Sequence, residues 1–404
     1  MEHLIRKYLG KLEAQGLARG KDAVYLALDA DIVSGRPLGR DGEVLAGVFS
    51  LMNISSLLLS RPAEPYWSII REILRYDSSA NGQGRVIPMD CETRTFFHDI
   101  PVVDEFSPQA IAAALSHRKA AIIRDRGIVT YGVVTPEQAF VSFSSTCFST
   151  FVKYFHDLLG YLEGCRDSGK SPDREARRAF DLIRADLHRV ISSDELVSLQ
   201  AGPPPDEDAA VAMMAETGRS VVEDHLVDSV FGNISYISNG IIYISQTGSS
   251  LDELEPCIDP VPLDGSSSVG ITASSELSAH KGIFAETGDN AILHGHPKFS
   301  VVMSMHCLKK DCPHFSEREI CHRGCGVTRS VAGTPIVSGE IGTGPTGLMN
   351  TVPRAMKEGR GVIVYGHGVF TSGRDDFRGP FALLREIEER CRKDYFQAVD
   401  SLLP

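Results

Sequence analysis

No apolar run in the 404-residue sequence approaches the roughly 18 residues that a membrane-spanning helix needs. The opening stretch, Met1–Gln15, is amphipathic and charged and lacks the apolar centre of a signal peptide. Basic residues are the scarcer charge. Lys and Arg number 41 against 53 Asp and Glu, and the resulting net charge of −12 argues against a general nucleic-acid binder. Nine cysteines occur without the paired C-x-x-C spacings of a zinc ribbon, and without a signal peptide they fit a reducing cytoplasm better than a disulfide framework. What remains, 42% hydrophobic and 23% charged, describes a soluble globular chain long enough for two or three domains.

The most informative stretch is Ala273–Pro297, which holds Glu276 and then His294 and His296. The apolar run Ala291–Leu293 leads into the histidines as the end of a buried strand would. Residues i and i+2 of a strand face the same side, so both imidazoles can address one point, and neutral imidazole is a common zinc ligand. His367, at the end of the apolar run Gly361–Tyr365, is the candidate third ligand. Three histidines and an open position are what a catalytic zinc requires. Clusters of Gly, Ser and Thr at Gly232-Asn233, Thr247-Gly248-Ser249 and Ser274-Ser275 offer backbone N–H and hydroxyl donors to an anion. The same residues serve equally as helix caps and turns.

Taken in order, GNIS (232–235), TGSS (247–250), SSE (274–276), HGH (294–296) and GHGV (366–369) closely resemble the class II aldolase/adducin family over about Met213–Pro404. That family includes zinc-dependent fuculose- and rhamnulose-phosphate aldolases, ribulose-phosphate 4-epimerases and the non-catalytic adducin head. The resemblance implies that His294, His296 and His367 hold Zn²⁺ or another divalent metal and that Glu276 is the acid/base. It implies that Gly232, Asn233, Thr247, Gly248, Ser274 and Ser275 bind the substrate's phosphate or an equivalent anion. A tyrosine takes part in the family's retro-aldol cleavage, and Tyr395 in a C-terminal helix, Phe381–Leu403, is the candidate. The implied function is an aldolase-type lyase making or breaking a C–C bond in a small sugar-phosphate-like substrate through a metal-stabilised enediolate. Epimerase, decarboxylase, dehydratase and adducin-like binding readings remain open. Glutamate at 276 favours the aldolase, because the epimerases resemble this motif with aspartate there. The expected partners are a small-molecule substrate and further copies of the chain, with no nucleic acid and no membrane.

Cys307, Cys312, Cys321 and Cys325 depart from the family pattern. Four thiols in nineteen positions are a candidate second metal site, or else a loop of reduced cysteines.

The first half of the chain carries echoes of the second. Ala120–Gly132 parallels Gly361–Gly373, which sets Arg126-Gly127 against His367-Gly368, and Ile100–Val103 parallels Thr334–Val337. Carried back, this alignment sets Glu43 opposite Glu276 and Ser60-Arg61-Pro62 around His294-Gly295-His296. The expected organisation is α/β, with two tandem class II aldolase-like α-β-α domains around mainly antiparallel sheets. Residues 1–165 form a degenerate domain without metal ligands, 166–208 a helical and Pro-rich linker, and 209–404 the catalytic domain. Helices are expected over Glu2–Ala18, Glu43–Met52, Pro136–Leu162 and Ala209–Val230, the last ended by Gly232-Asn233, and a hairpin turn at Asn239-Gly240. Ser274 is expected to cap a helix whose first turn contains Glu276, with His280 one turn on, lining the cleft or packing.

Overall fold

The computed structural model describes residues 1–80, 84–190, 198–228, 230–309, 311–315, 320–325 and 327–403. Parts of the expected linker (191–197) and of the cysteine-rich segment (310, 316–319) therefore lie outside the described residues. The chain divides into two compact units, Met1–Ser192 and Ser193–Pro404. None of the helices described is long and apolar enough to cross a membrane.

The first unit runs α1 (Glu2–Ala14), β1 (Ala18–Asp29), β2 (Asp31–Ser34), α2 (Arg40–Val48), β3 (Ser56–Pro62), α3 (Tyr66–Ala80), β4 (Arg85–Val86) and α4 (Cys91–Phe97). It continues β5 (Ile100–Val103), α5 (Pro108–Leu115), β6 (Ala120–Ile123), β7 (Gly127–Gly132), α6 (Pro136–Asp167) and α7 (Arg174–Val190). Its seven strands lie in the order β2-β1-β3-β7-β6-β5-β4, with every pairing antiparallel except β5–β6. Side chains alternate across this sheet. Leu57, Leu59 and Val129 join Leu45 of α2 and Ile111 of α5 in one core. On the other face the Thr130 hydroxyl donates to the Ala139 carbonyl of α6.

The second unit runs α8 (Glu207–Glu223), β8 (Asn233–Ser238), β9 (Ile241–Ser245), β10 (Ile258–Pro262), α9 (Leu277–Thr287), β11 (Ala291–Gly295), α10 (Lys298–Met305) and α11 (Cys321–Gly324). It ends with β12 (Arg329–Val331), β13 (Thr334–Val337), α12 (Leu348–Met356), β14 (Gly361–Val364), β15 (Gly368–Gly373) and α13 (Arg378–Leu402). The sheet order is β10-β9-β8-β11-β15-β14-β13-β12, with β13–β14 the one parallel pair of its described strands. Ile292 and Phe370 face a core shared with Ile283 of α9 and Val352 of α12.

The two sheets have one topology, with β10 the only addition among the described residues. Strand register makes the correspondence residue by residue. Ser60 pairs with Ile128 and Leu59 with Val129, while Gly295 pairs with Val369 and His294 with Phe370. Thr371, the counterpart of Thr130, donates to the Pro380 carbonyl as Thr130 does to Ala139. A Cβ on Gly127 would lie 2.2 Å from the Ser60 carbonyl oxygen, and one on Gly368 2.4 Å from that of Gly295, so the same close crossing recurs. Counting through the registers, the first-unit counterparts of His294, His296 and His367 are Leu59, Arg61 and Arg126, and Asp41 takes the place of Glu276 by its contact, touching Arg126 as Glu276 touches His367. This corrects the expected alignment by one residue at the β11 histidines, because the spacing between β3 and β7 differs from that between β11 and β15 by a few residues, and it is Asp41 rather than Glu43 that meets Arg126.

Several helix ends also differ from expectation. α1 stops at Ala14, where Gly16 turns left-handed and the Leu17 N–H closes back on the Leu12 carbonyl. α2 spans Arg40–Val48, four residues short of Met52, and α6 runs on to Asp167. α8 ends at Glu223 rather than Val230. His225 takes the left-handed position there (φ 55°), and the Leu226 N–H reaches the Val221 carbonyl. Gly232 is left-handed too (φ 81°), but it and Asn233 open β8 instead of ending a helix. The turn at Asn239-Gly240 has positive φ at both residues, as a two-residue hairpin demands.

Candidate active site

The end of β11 carries His294, and the chain leaves the strand through Gly295 to His296. His367 stands in the turn between β14 and β15, where Gly366 is left-handed (φ 61°) and its N–H donates to the Ser304 hydroxyl. The three imidazoles converge, with ligand nitrogens all within 4.8 Å of one another, and all three residues are buried. Two glycines permit the approach. A Cβ on Gly368 would meet His294 Cε1 at 2.8 Å and His296 Cδ2 at 3.0 Å, and one on Gly232 would meet the His294 carbonyl oxygen at 2.6 Å.

Glu276 completes the cluster. One carboxylate oxygen lies 2.9 Å from His367 Nε2 and the other 3.4 Å from His294 Nε2. Glu276 precedes α9 as its N-cap residue, so the expected placing inside the first turn, capped by Ser274, shifts by two positions. The Ser274 hydroxyl instead accepts from the Glu276 N–H at 3.3 Å.

A relay of hydrogen bonds fixes the carboxylate. Asn233 Nδ2 donates to Glu276 at 2.6 Å, which leaves Asn233 Oδ1 to accept from His280 Nε2–H at 2.6 Å. His280 Nδ1 then accepts from the Ser235 hydroxyl at 2.6 Å. His280 thus holds Asn233, a role that sequence left open between cleft and packing. The partners stand 43 to 47 residues apart, so no local pattern could reveal them.

Burial pushes the His280 imidazole down to about 3 and that of His294 to about 4, and holds His296 well below its ordinary value. These rings are neutral near pH 7. Burial alone would raise Glu276, but His294, His367 and Asn233 outweigh it and keep the carboxyl well below the usual range. His294 Nδ1–H donates to the Val369 carbonyl at 3.0 Å, which leaves its Nε2 lone pair directed inward, 2.9 Å from His296 Nε2. His296 Nδ1 is buried without a hydrogen-bond partner among the described residues. Imidazole lone pairs and a carboxylate converging in a water-poor pocket repel one another unless a cation lies between them, so the donor set fits a divalent metal.

The anion candidates are gathered nearby. Gln246 and Ala273 form a β-bridge, which sets the Thr247-Gly248 turn beside Ser274. The Thr247 hydroxyl donates to the Ala273 carbonyl at 2.9 Å, Gly248 is left-handed (φ 77°), and Ser275 is exposed. Gly232 and Asn233 serve the architecture of the cluster, as described above. Tyr395 lies fully buried in α13, its ring against Phe299 and Phe396, a packing arrangement. Cys307, Cys312, Cys321 and Cys325 surround a small cavity of about 10 Å³ with His314, yet no three of their ligand atoms lie within the ion-sized spacing that the histidines reach.

Residues 212–395 match the family described as Class II Aldolase and Adducin N-terminal domain. The second unit is a class II aldolase/adducin domain. Solved structures similar to part of the chain include L-fuculose-1-phosphate aldolase from Thermus thermophilus, at 21% identity over 46% of this chain and 94% of that one (TM-score 0.37). A second L-fuculose 1-phosphate aldolase is 20% identical over 48% of this chain and 88% of that one (TM-score 0.39). A sugar-phosphate aldolase from Thermotoga maritima is 17% identical over 48% and 96% (TM-score 0.34). No curated protein matches the chain. Within the class II aldolase/adducin domain, the matched span contains the whole Glu276–histidine cluster and its relay.

Proposed function

We propose that the second unit is a metal-dependent aldolase-type lyase that makes or breaks a C–C bond in a small hydroxy-carbonyl substrate of sugar-phosphate type. The observation that supports it most directly is the convergence of three buried imidazoles and one ionised carboxylate on a single point. His294, His296 and His367 would hold a divalent cation, for which zinc suits an all-imidazole set. When bound, such a cation supplies a Lewis acid that polarises a carbonyl and offsets the negative charge developing on its oxygen.

Glu276 is the base that takes the proton from carbon or oxygen and returns it. Ionised and held by Asn233, it is ready to accept a proton without first losing one. His280, neutral and locked between Asn233 and Ser235, keeps Asn233 turned with its amide towards the carboxylate. Thr247, Gly248, Ser274 and Ser275, brought together by the Gln246–Ala273 bridge, would hold a substrate's anionic end, and burial of the histidines limits water at the reacting atoms. A purely binding, adducin-like role has no use for this complete set of ligands and base.

The test is Glu276→Gln. The variant should keep its metal and lose exchange of the substrate's carbon-bound proton with solvent by about 100-fold or more. Full exchange in that variant would remove Glu276 from the chemistry. A retro-aldol screen of sugar phosphates, with zinc and with chelator, would define the substrate.

A further inference from the structure

In the first unit two of the three metal-ligand positions carry cationic side chains. Leu59 and Val24 stand where the second unit has His294 and Asn233, but His296 and His367 are answered by Arg61 and Arg126. The counterpart of Glu276 is retained as a carboxylate in the same relation. Asp41 lies 2.9 Å from Arg126, as Glu276 lies 2.9 Å from His367. These residues line a cavity of about 460 Å³, together with Arg124, Asp22 and Asp125.

The substitution inverts the polarity of the site. Imidazole offers a lone pair to a cation, whereas guanidinium offers only N–H donors and a fixed positive charge. Two arginines at ligand positions therefore cannot hold a metal but can hold the oxyanion that a metal would have attracted. Arg126 is braced over the Phe106 ring at 4.0 Å and Arg124 is paired with Asp104. Arg61 rests over the Trp67 ring at 5.4 Å and donates only to the Asp125 carbonyl at 3.4 Å, with no carboxylate partner among the described residues. The aspartates that share the cavity are acceptors, and they suit hydroxyl groups next to the anionic end.

We propose that this cavity binds a small polyhydroxylated anion, a sugar phosphate or sugar acid, with its oxyanion on Arg61 and Arg126 and its hydroxyls on Asp22, Asp41 and Asp125. Without a metal to polarise a carbonyl the site binds and does not turn over. The proposal stands whether or not the second unit is a lyase.

The experiment uses the full chain in chelator, with calorimetric titration of glucose 6-phosphate, gluconate, inorganic phosphate and uncharged glucose. Saturable binding of glucose 6-phosphate or gluconate, without binding of glucose, is expected, and whichever is tighter identifies a phosphate or a carboxylate as the preferred end. Arg61→Gln and Arg126→Gln should each weaken it about tenfold or more, with Arg61→Lys between wild type and Gln. Arg61 is exposed, so its variants should fold, and circular dichroism checks this. Absence of binding by both charged sugars at millimolar concentration overturns the proposal. So does binding that survives both arginine substitutions, or that is lost in His294→Ala instead.

Discussion

Replacing Gly368 by alanine isolates the geometry of the ligand cluster from its chemistry. Its φ is not left-handed, so alanine there carries no backbone penalty and the effect is one of space alone. The added Cβ would sit 2.4 Å from the Gly295 carbonyl oxygen, where ordinary contact begins near 3.4 Å, so β11 and the His367 turn must part by about 1 Å. The same carbon meets His294 Cε1 at 2.8 Å and His296 Cδ2 at 3.0 Å, so the shift falls on two of the three ligands at once. Metal–ligand distances tolerate only ~0.2 Å, and a misplacement of ~1 Å at a reacting centre costs about 100-fold. Gly368→Ala is therefore expected to lose its metal during dialysis, and with it at least about 99% of activity, at an overpacking cost of only about 1–3 kcal/mol in stability. Elemental analysis after dialysis, with a urea unfolding curve alongside, reads both quantities. A variant that folds, keeps a full equivalent of metal and turns over normally would show that the three histidines do not act as one ligand set.

His294→Ala and His367→Ala should each remove about one divalent ion per chain by elemental analysis. Asn233→Ala deletes the donor that helps hold Glu276 ionised, so the carboxyl pKa should rise and the acid limb of the pH–rate profile should move to higher pH. His280, with its folded pKa near 3 against an ordinary 6.5, contributes stability that is complete above about 6.5 and declines as the pH falls towards 3. At pH 5 the loss attributable to this ring is about 2 kcal/mol. Urea midpoints at pH 7 and pH 5 should therefore converge in His280→Gln relative to wild type.

What could be read from the sequence was local. Alternation and a two-residue Asn-Gly turn mark β8–β9, and the apolar run into His-x-His marks the end of β11, because strand period and turn chemistry depend on neighbours in the chain. The likeness of Ala120–Gly132 to Gly361–Gly373 has the same origin, since each is one hairpin of β6–β7 or β14–β15. The Ser235–His280–Asn233–Glu276 relay joins one strand, β8, to α9 and its N-cap residue, and its logic is one of donors and acceptors across space. The end of α8 was hidden because a histidine, not a glycine, adopts the left-handed turn. Matching Arg61 to His296 needed the β3–β7 register, which no local comparison supplies across a loop of different length.

The one strand peculiar to the second unit has its own consequence. Within β10, Pro260 and Pro262 share a side with Ile258, while the Leu263 N–H and the Cys257 carbonyl bond inward towards β9. By alternation both prolines sit where an N–H would point away from the sheet, so they cost β9 no bond and offer an incoming strand no donor. The opposite border, β12, is three residues long, and the borders of the first sheet, β2 and β4, are four and two. The second sheet is thus closed to edge-to-edge growth at β10 by proline and at β12 by brevity. Copies of this chain that assemble through the second unit would have to meet through its helices and loops, and its sheet borders are poor templates for fibrous aggregation.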